Sequence, residues 1–325
     1  MSRPVQPLAQ AGAALLTAML TVALVASLAA GALWQQWRSV EIEAAERARV
    51  QSLWVLGGAL DWARLILRED ARSGGVDHLA EPWAIPLEEA RLSTFLAADS
   101  ASAADTDADA SQAFLSGLIS DLQARLNVAG LVENGKVSEP GLKAFGRLFQ
   151  TLGLPPGELS LMAENLRLAM VASTGGDAAL TAPLLPQRID QLVWLGLSPR
   201  SLAVLQPYIT LLPVSTPVNL NTASATVLFA CISSLDMAQA QQLVNVRKTS
   251  HFRTLADAAA HIGKTTVPLD AAQHSVSSRF FEVRGRLRLG QTVVEERSVV
   301  QRDGLEVKTL WRDRGAAEPQ TKPLQ

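Results

Sequence analysis

An uncharged segment near the N-terminus limits what this chain can fold into. Residues Gln10 to Trp34 contain no charged side chain, and the nearest charges are Arg3 and Arg38. A helix that crosses a bilayer needs about 20 apolar residues, and the stretch from Ala13 to Trp34 is that long. The segment therefore predicts a membrane-spanning helix.

A cleavable secretory signal is the alternative interpretation of this segment. The apolar region of such a signal spans only about 7–15 residues. However, Ser27-Leu28-Ala29 and Leu28-Ala29-Ala30 resemble its cleavage site, so release into the periplasm stays open. Trp34 and Trp37 favour an uncleaved anchor, because indole rings settle at the membrane interface. The basic Arg3 predicts a cytoplasmic N-terminus, with the bulk of the chain on the other side.

The apolar segment is expected to continue as an amphipathic helix. Residues 40–67 contain no proline, and their apolar side chains keep helical spacing. We expect one helix of about 50 residues, whose second half packs on a domain. Its apolar stripe is wider than one sheet face needs, so either the chain's own sheet covers all of it or part of it binds a partner. The stripe consists of Val50, Leu53, Trp54 and Leu60, widened by Val55, Leu56, Ala59, Trp62, Ala63 and Ile66.

This N-terminus resembles that of type IV pilin-like prepilins, which carry a short leader ending in glycine before the apolar half of a long helix. The resemblance implies that Gly12 ends the leader and that a prepilin peptidase cuts before Ala13. The fifth residue after the cut is usually a glutamate in pilins, where it is thought to pair with the neighbouring subunit's N-terminal amine. Here that residue is Thr17, which cannot form the pair. The pilin-like subfamily known for lacking this glutamate is the minor pseudopilin K of type II secretion.

Strands and a helical block are predicted after the long helix. Residues Phe114 to Val128 alternate partly and predict a strand. From Gly141 onward, short helical runs are separated by proline, glycine or capping residues. Ser198 before Pro199 predicts a helix start, and so does the capping box at Thr254. The helix that starts there should end near Gly263.

The chain returns to strands near its C-terminus. The stretch RFFEVRGRLRLG, residues 279–290, alternates with period two and predicts a half-buried strand. Its apolar face would consist of Phe281, Val283, Leu287 and Leu289, and its polar face of Glu282, Arg284, Arg286 and Arg288. Two more strands follow, joined by a tight hairpin at Asp303-Gly304, so we expect a three-stranded antiparallel meander.

These elements together predict an α+β fold. A pilin-like long N-terminal helix would pack on an antiparallel sheet, with an all-α domain inserted between strands. The expected parts are a leader (1–12), the transmembrane half of the helix (13–37), the first part of the pilin-like domain (38–130), the inserted helical domain (131–273), the C-terminal strand meander (274–314) and a polar tail (315–325).

Three further motifs resemble the pseudopilin K family. They are Ile119–Asn127, with an Asp-x-x-x-Arg-x-Asn pattern, Leu195–Pro213 and Val218–Ile232. The resemblance implies a minor pseudopilin at the tip of the type II secretion pseudopilus, which supports pseudopilus assembly and protein export across the outer membrane. It also implies a single-pass inner-membrane protein with a periplasmic bulk. Its partners would be other minor pseudopilins and the inner-membrane platform of the secretion system.

A membrane-anchored DNA receptor is the competing interpretation. The stretch that begins at Val218 also resembles a helix-hairpin-helix module, whose hairpin glycines let backbone amides approach phosphate. Here the hairpin is Ser233–Asp236, without glycine and with a carboxylate where phosphate would lie. Non-specific affinity scales with the number of phosphates neutralised, and the nearby basic cluster is small. It consists of Arg247, Lys248, His251 and Arg253. We therefore expect no nucleic-acid binding.

Calcium is the one metal that the sequence raises, and we do not expect it. Three aspartates in the small, acidic stretch 97–111 have the spacing of a calcium loop: Asp105, Asp107 and Asp109. Ala110 and Ser116 stand where such a loop needs glycine and glutamate. Some relatives hold calcium with a second acidic stretch, and the corresponding region here keeps only Asp177.

Catalysis and cofactors are not predicted either. No nucleophile, metalloprotease or phosphate-loop motif is present. Glu295 and Glu296 are neighbours in a strand and would point to opposite faces, so they cannot act as a carboxylate pair. The histidines are His78, His251, His261 and His274, and they lack metal-ligand spacing. Cys231 is the one cysteine, so no intramolecular disulfide can form.

Overall fold

A single long helix begins the structure. This computed structural model describes residues 11–93, 113–173, 182–262, 269–290 and 292–316. Helix α1 runs from Ala11 to Ser73 as 63 continuous residues, so the predicted long helix is confirmed and is longer than expected. The chain divides into two compact units, Met1–Val55 and Leu56–Gln325, and the division falls within α1.

An antiparallel five-stranded sheet forms the centre of the second unit. Its order is β1-β2-β9-β10-β11, so the chain leaves the sheet after β2 and returns to pair β9 with β2. The hairpin between β10 and β11 turns at Gly304, whose φ of +58° suits glycine. The five strands are β1 (Leu87–Arg91), β2 (Ala113–Asp121), β9 (Phe280–Leu289), β10 (Thr292–Asp303) and β11 (Glu306–Ala316).

The second half of α1 packs on one face of this sheet. Leu60, Ala63 and Leu67 follow one another at helical spacing and are buried against Phe281 and Val300. Burying a large aliphatic side chain stabilises a fold by about 1.5–3 kcal/mol. The chain's own sheet therefore accounts for this part of the predicted apolar stripe.

Helices and short strands fill the chain between β2 and β9, and they enclose a core of their own. The helices are α2 (Glu139–Thr151), α3 (Pro156–Ser173), α4 (Pro199–Leu205), α5 (Ala225–Cys231), α6 (Met237–Thr249) and α7 (Leu255–Ala260). The short strands are β3 (Leu126–Asn127), β4 (Val132–Glu133), β5 (Lys136–Val137), β6 (Ile209–Thr210), β7 (Val218–Asn219) and β8 (His274–Ser275). We call residues 131–273 the helical segment. The predicted fold class is confirmed, while the domain boundaries stay a prediction.

The helix starts agree with the sequence. The Ser198 hydroxyl accepts from the Ser201 amide ahead of α4, with Pro199 at the first position. Thr254 and Asp257 form the expected capping box of α7. Gly263, the expected end of that helix, lies outside the described residues, as do Asp105, Asp107, Asp109, Ala110 and Asp177.

Two strand predictions need correction. Strand β2 ends at Asp121 and does not reach Val128, because the Asp121 carboxylate accepts a hydrogen bond from the Gln123 amide and turns the chain into a short 3-10 helix. The second correction concerns β9, whose polar face is not fully exposed. Glu282 on that face is completely buried, because arginines surround it.

Candidate functional site: an apolar helix and a buried polar junction

The predicted processing site lies at the start of α1. Gly12 and Ala13 belong to the first turn of the helix, and residues 1–10 are outside the described part of the chain. Thr17 donates its hydroxyl to the carbonyls of Ala13 and Ala14, at 3.1 and 2.9 Å. The hydroxyl is therefore satisfied within the helix, and Thr17 brings no charge into the apolar segment.

The first unit has the properties of a membrane span. Among the described residues, α1 is the one helix long and apolar enough to cross a bilayer, with a mean hydropathy of 2.2 in its most apolar window. Its large apolar side chains lie exposed, for example Leu20 and Val22. A helix with exposed apolar side chains fits a lipid environment, where backbone groups are satisfied within the helix.

The predicted stripe on α1 separates into buried and exposed members. Leu56, Leu60 and Ala63 are buried. By contrast, Trp54 is 78% exposed, and Val50 is 49% exposed. Exposed tryptophan is a common anchor of protein interfaces, so Trp54 is the candidate contact residue in the first unit.

The family motifs meet at a buried junction between the sheet and the helical segment. The Asp121 carboxylate accepts four hydrogen bonds there. The donors are the Thr222 hydroxyl at 2.6 Å, the Ser278 hydroxyl at 2.6 Å, the Asn219 amide at 3.1 Å and the Gln123 backbone N–H at 2.7 Å. Asp121 ends β2, whereas Asn219 and Thr222 belong to the helical segment. One carboxylate thus joins the two parts.

Two amide side chains extend this junction. Asn127 donates to the carbonyl of Val214 and to the hydroxyl of Thr216, and its oxygen accepts from the amide of Leu212. Gln123 donates to the Pro217 carbonyl and accepts from the Arg279 amide. Buried amides that use both their donors and their acceptors specify one packing arrangement. The Ile119–Asn127 motif therefore serves to hold the segment in place.

The Val-Asn-x-Asn-Thr-Ala motif has the same structural role. Asn221 donates to the Phe252 carbonyl and accepts from the Phe252 amide, at 2.9 and 2.8 Å. Asn219 accepts from the Asn221 amide and donates to the Asp77 carbonyl. The motif ends at Ala223, and the hydroxyl of the next residue, Ser224, caps α5. The side-chain amides of Asn219 and Asn221 therefore form their hydrogen bonds within the fold.

The hairpin after this motif is held by contacts within the fold. Arg147 donates to the carbonyls of Ile232 and Leu235, at 2.8 and 2.6 Å, and its guanidinium lies over the Phe229 ring. The Asp236 carboxylate caps α6, where an anion would otherwise bind.

Two residues of the basic cluster near this hairpin, Arg247 and His251, make contacts within the fold. Arg247 donates to the Leu220 carbonyl at 2.6 Å. The His251 ring stacks on the His78 ring, with centroids 3.8 Å apart. Lys248 and Arg253 are exposed. Two of the four residues in this cluster therefore remain exposed, and non-specific affinity scales with the number of phosphates neutralised.

Residues that the sequence did not single out complete the junction. Arg302 donates to Asp70 at 2.7 Å and to Asp77 at 2.5 Å, and Asp77 also accepts from the Ser278 amide at 2.6 Å. Carboxylate oxygens of Asp70, Asp77 and Glu81 lie within 4.8 Å of one another. Asp70, Asp77 and Glu81 are close in sequence, but Ser278 and Arg302 are more than 200 residues away from Asp77, and no local pattern marks their contact.

This acidic group does not fit the calcium site that the family resemblance raised. The Arg302 guanidinium already supplies a positive charge to Asp70 and Asp77. Glu81 is in turn held by the His78 amide and the Trp83 indole N–H, at 2.8 and 2.7 Å.

Burial shifts the acid–base behaviour of the junction. It raises the pKa of Asp121 to about 6 and that of Glu81 to about 7, although hydrogen bonds to both carboxylates act in the opposite direction. Burial also raises the pKa of Asp77, which Arg302 only partly offsets. For His78, burial and the neighbouring His251 lower the pKa.

These shifts predict that stability falls as pH rises. A carboxyl group with a raised pKa binds its proton more tightly in the folded state, so its contribution is complete below the ordinary value and is lost as pH rises through 6 and 7. With the half-exposed Glu81 discounted for solvent screening, we expect the free energy of unfolding to decrease by about 2 kcal/mol between pH 5.5 and pH 8. Urea unfolding of the full chain in detergent measures it.

The variant Glu81→Gln provides the control for this pH dependence. Its side-chain oxygen can still accept from the His78 amide and the Trp83 indole, but it does not titrate. Its stability should change less between pH 5.5 and pH 8 than that of the wild type. The lowered pKa of His78 acts in the opposite direction below pH 6.5. An unchanged pH dependence in Glu81→Gln would assign the effect to other groups.

Another buried carboxylate, Glu282, lies on the sheet face that points away from α1. Glu282 accepts from Arg284 at 2.5 Å and forms an ion pair with Arg297. Burial alone would raise the pKa of Glu282, but Arg297, Arg284 and Arg125 together lower it below its usual value. Glu295 and Glu296 point to opposite faces, as expected. The Glu296 carboxylate pairs with Arg314 at 2.6 Å.

Comparisons with known proteins agree with the motifs. The family described as type II secretion system protein K matches residues 124–214 and 218–277 of this chain. The type II secretion system protein K of Pseudomonas aeruginosa is 30% identical, over 94% of this chain and 93% of that protein.

A solved structure has a similar fold. It is the crystal structure of the GspK-GspI-GspJ complex from the type 2 secretion system of enterotoxigenic Escherichia coli. The matched chain superposes with a TM-score of 0.63, at 18% identity, over 84% of this chain and 99% of that chain. At this identity the match supports the fold, with the long helix on an antiparallel sheet.

Proposed function

Because this chain belongs to the type II secretion system protein K family and is therefore a minor pseudopilin, we propose that it occupies the tip of the pseudopilus. Helix α1 is the observation that carries the proposal. Its first part is apolar and exposed, and its second part packs on the sheet, as an anchored pilin-like subunit requires. There it supports pseudopilus assembly and protein export.

Thr17 supports a position at the end of the fibre. A pilin glutamate at this place would neutralise the N-terminal amine of a neighbouring subunit, and the Thr17 hydroxyl is already bonded to its own helix. The helical segment adds bulk to one end of the sheet, next to the junction at Asp121. Both features suit a subunit that begins or caps the fibre.

The location and partners follow from the same role. The proposed topology is a cytoplasmic N-terminus, one inner-membrane span and a periplasmic bulk. The matched structure is a complex with two further proteins, GspI and GspJ, and we propose that this chain likewise assembles with the other minor pseudopilins of its own system. The inner-membrane platform and the prepilin peptidase are the remaining proposed partners. Co-purification from membranes with candidate minor pseudopilins tests the assembly.

Processing between Gly12 and Ala13 is the first testable consequence. N-terminal sequencing of protein from cells with a prepilin peptidase should begin at Ala13. The variant Gly12→Leu should accumulate uncut, whereas Gly31→Leu, the same change within the span, should be cut normally. A mature N-terminus between Ser27 and Ala32 would instead show an ordinary secretory signal and would remove the anchor.

A further inference from the structure

The sheet face that points away from α1 carries a row of arginines. Arg284, Arg286 and Arg288 alternate along β9, and alternate residues of a strand lie on the same face. The opposite face is occupied, since Phe281 and Val283 pack with α1 in the core. The three guanidinium groups therefore lie on the face opposite α1.

Neighbouring strands add to this face. Arg297 of β10 lies opposite Arg284, and Arg91 of the edge strand β1 lies opposite Phe114. Phe114 also lies opposite Arg288, and the Arg288 guanidinium is stacked 4.1 Å from the centre of its ring. Stacking orients a guanidinium and leaves its in-plane donors free to bind carboxylates, and here the Arg288 Nε donates to Glu89 at 2.7 Å. We call these five residues, Arg91, Arg284, Arg286, Arg288 and Arg297, the arginine face.

Most charges on and around this face are already paired, but among the described residues Arg286 and Arg91 form no ion pair. The pairs are Glu282 with Arg284 and Arg297, Glu89 with Arg288, and Asp313 with Arg188. Glu295 lies opposite Arg286 in the strand register. Even so, no carboxylate of the described residues forms an ion pair with Arg286. The chain as a whole has a net charge of −2, so this positive row is a local feature.

We propose that the arginine face docks an extended acidic segment of a partner protein, with Arg286 as its central contact. Alternate residues of β9 repeat about every 6.6–6.8 Å. An extended peptide with a carboxylate at every second residue has the same repeat, so its carboxylates meet successive arginines. A guanidinium binds a carboxylate through two parallel hydrogen bonds, which adds directional fit to charge. Half-buried Leu118 and Val293 border the row and supply apolar contact for the alternate side chains.

The test uses the full chain in uncharged detergent and two labelled peptides. One peptide has four Glu-Thr repeats, and the other has the same composition with the four glutamates in one block. Fluorescence anisotropy measures the dissociation constants at low and at physiological salt. The variant is Arg286→Gln, and the matched control is Arg200→Gln, which removes an exposed arginine from α4 of the helical segment.

Three results are expected together. The alternating peptide binds more tightly than the block peptide, Arg286→Gln weakens it by about threefold to fivefold, and Arg200→Gln leaves it unchanged. Equal binding of the two peptides, or an equal loss in both variants, would overturn the proposal in favour of non-specific charge attraction. It would also be overturned if the peptide failed to bind while phosphatidylglycerol nanodiscs bound in an Arg286-dependent manner, which would indicate a lipid surface.

Discussion

Replacing Arg302 by methionine is expected to lower the free energy of unfolding by about 3–5 kcal/mol. Arg302 is one-tenth exposed, and its guanidinium binds Asp70 and Asp77 while lying over the Phe281 ring. Methionine fills similar space but removes the positive charge, so two largely buried carboxylates lose their partner. Removing one member of a buried ion pair is far more costly than replacing both. Denaturant unfolding of the full chain at pH 7.5 measures the loss.

Arg279→Met is the matched control for this prediction. Arg279 pairs with Asp303 at 3.6 Å, and both side chains are more than half exposed. An exposed pair of this kind contributes less than about 1 kcal/mol. The cost of Arg302→Met should also shrink at pH 5, where Asp77, whose pKa is raised, takes up a proton more readily. Equal losses in the two variants would show that the buried network does not stabilise the junction.

Local signals predicted the elements of this fold well. The uncharged run before Trp34 and the helical spacing after Val40 predicted α1, because a helix of that length is determined by periodicity. Alternation in β9 and the Asp303-Gly304 turn predicted the C-terminal meander, because both signals depend only on residues that are close in sequence. Ser198 and Thr254 marked helix starts, since capping depends on residues only three positions apart.

Long-range contacts explain what the sequence did not reveal. Asp77 binds the Ser278 amide and the Arg302 side chain, which are about 200 or more residues away in sequence. No pattern of spacing can indicate such a contact. The burial of Glu282 could not be predicted from its strand either. Alternation correctly placed Glu282 on the polar face of β9, but only the fold brings Arg125 and Arg297 close to it. The motif residues were identified correctly, but their shared role at one junction was visible only in the structure.

Trp54→Ala is expected to weaken association with the other minor pseudopilins by at least ~2 kcal/mol, or about thirtyfold in the dissociation constant. The side chain is 78% exposed, so truncation removes little of the chain's own packing. The free energy of unfolding should therefore change by less than about 0.5 kcal/mol. Titration of the purified partners against full-length protein in detergent measures association, and thermal unfolding of the same samples measures stability.

Two control variants, Trp194→Ala and Leu60→Ala, separate a loss of association from a loss of stability. Trp194→Ala truncates another exposed tryptophan, in the helical segment, and should change neither quantity. Leu60→Ala truncates a buried residue of the same helix and should lower stability by about 2–5 kcal/mol. If Trp54→Ala behaved like Leu60→Ala, with lower stability and normal association of the folded fraction, Trp54 would belong to the core. A partner surface on α1 would then have to lie elsewhere on the helix, because Leu56, Leu60 and Ala63 are already buried in the fold.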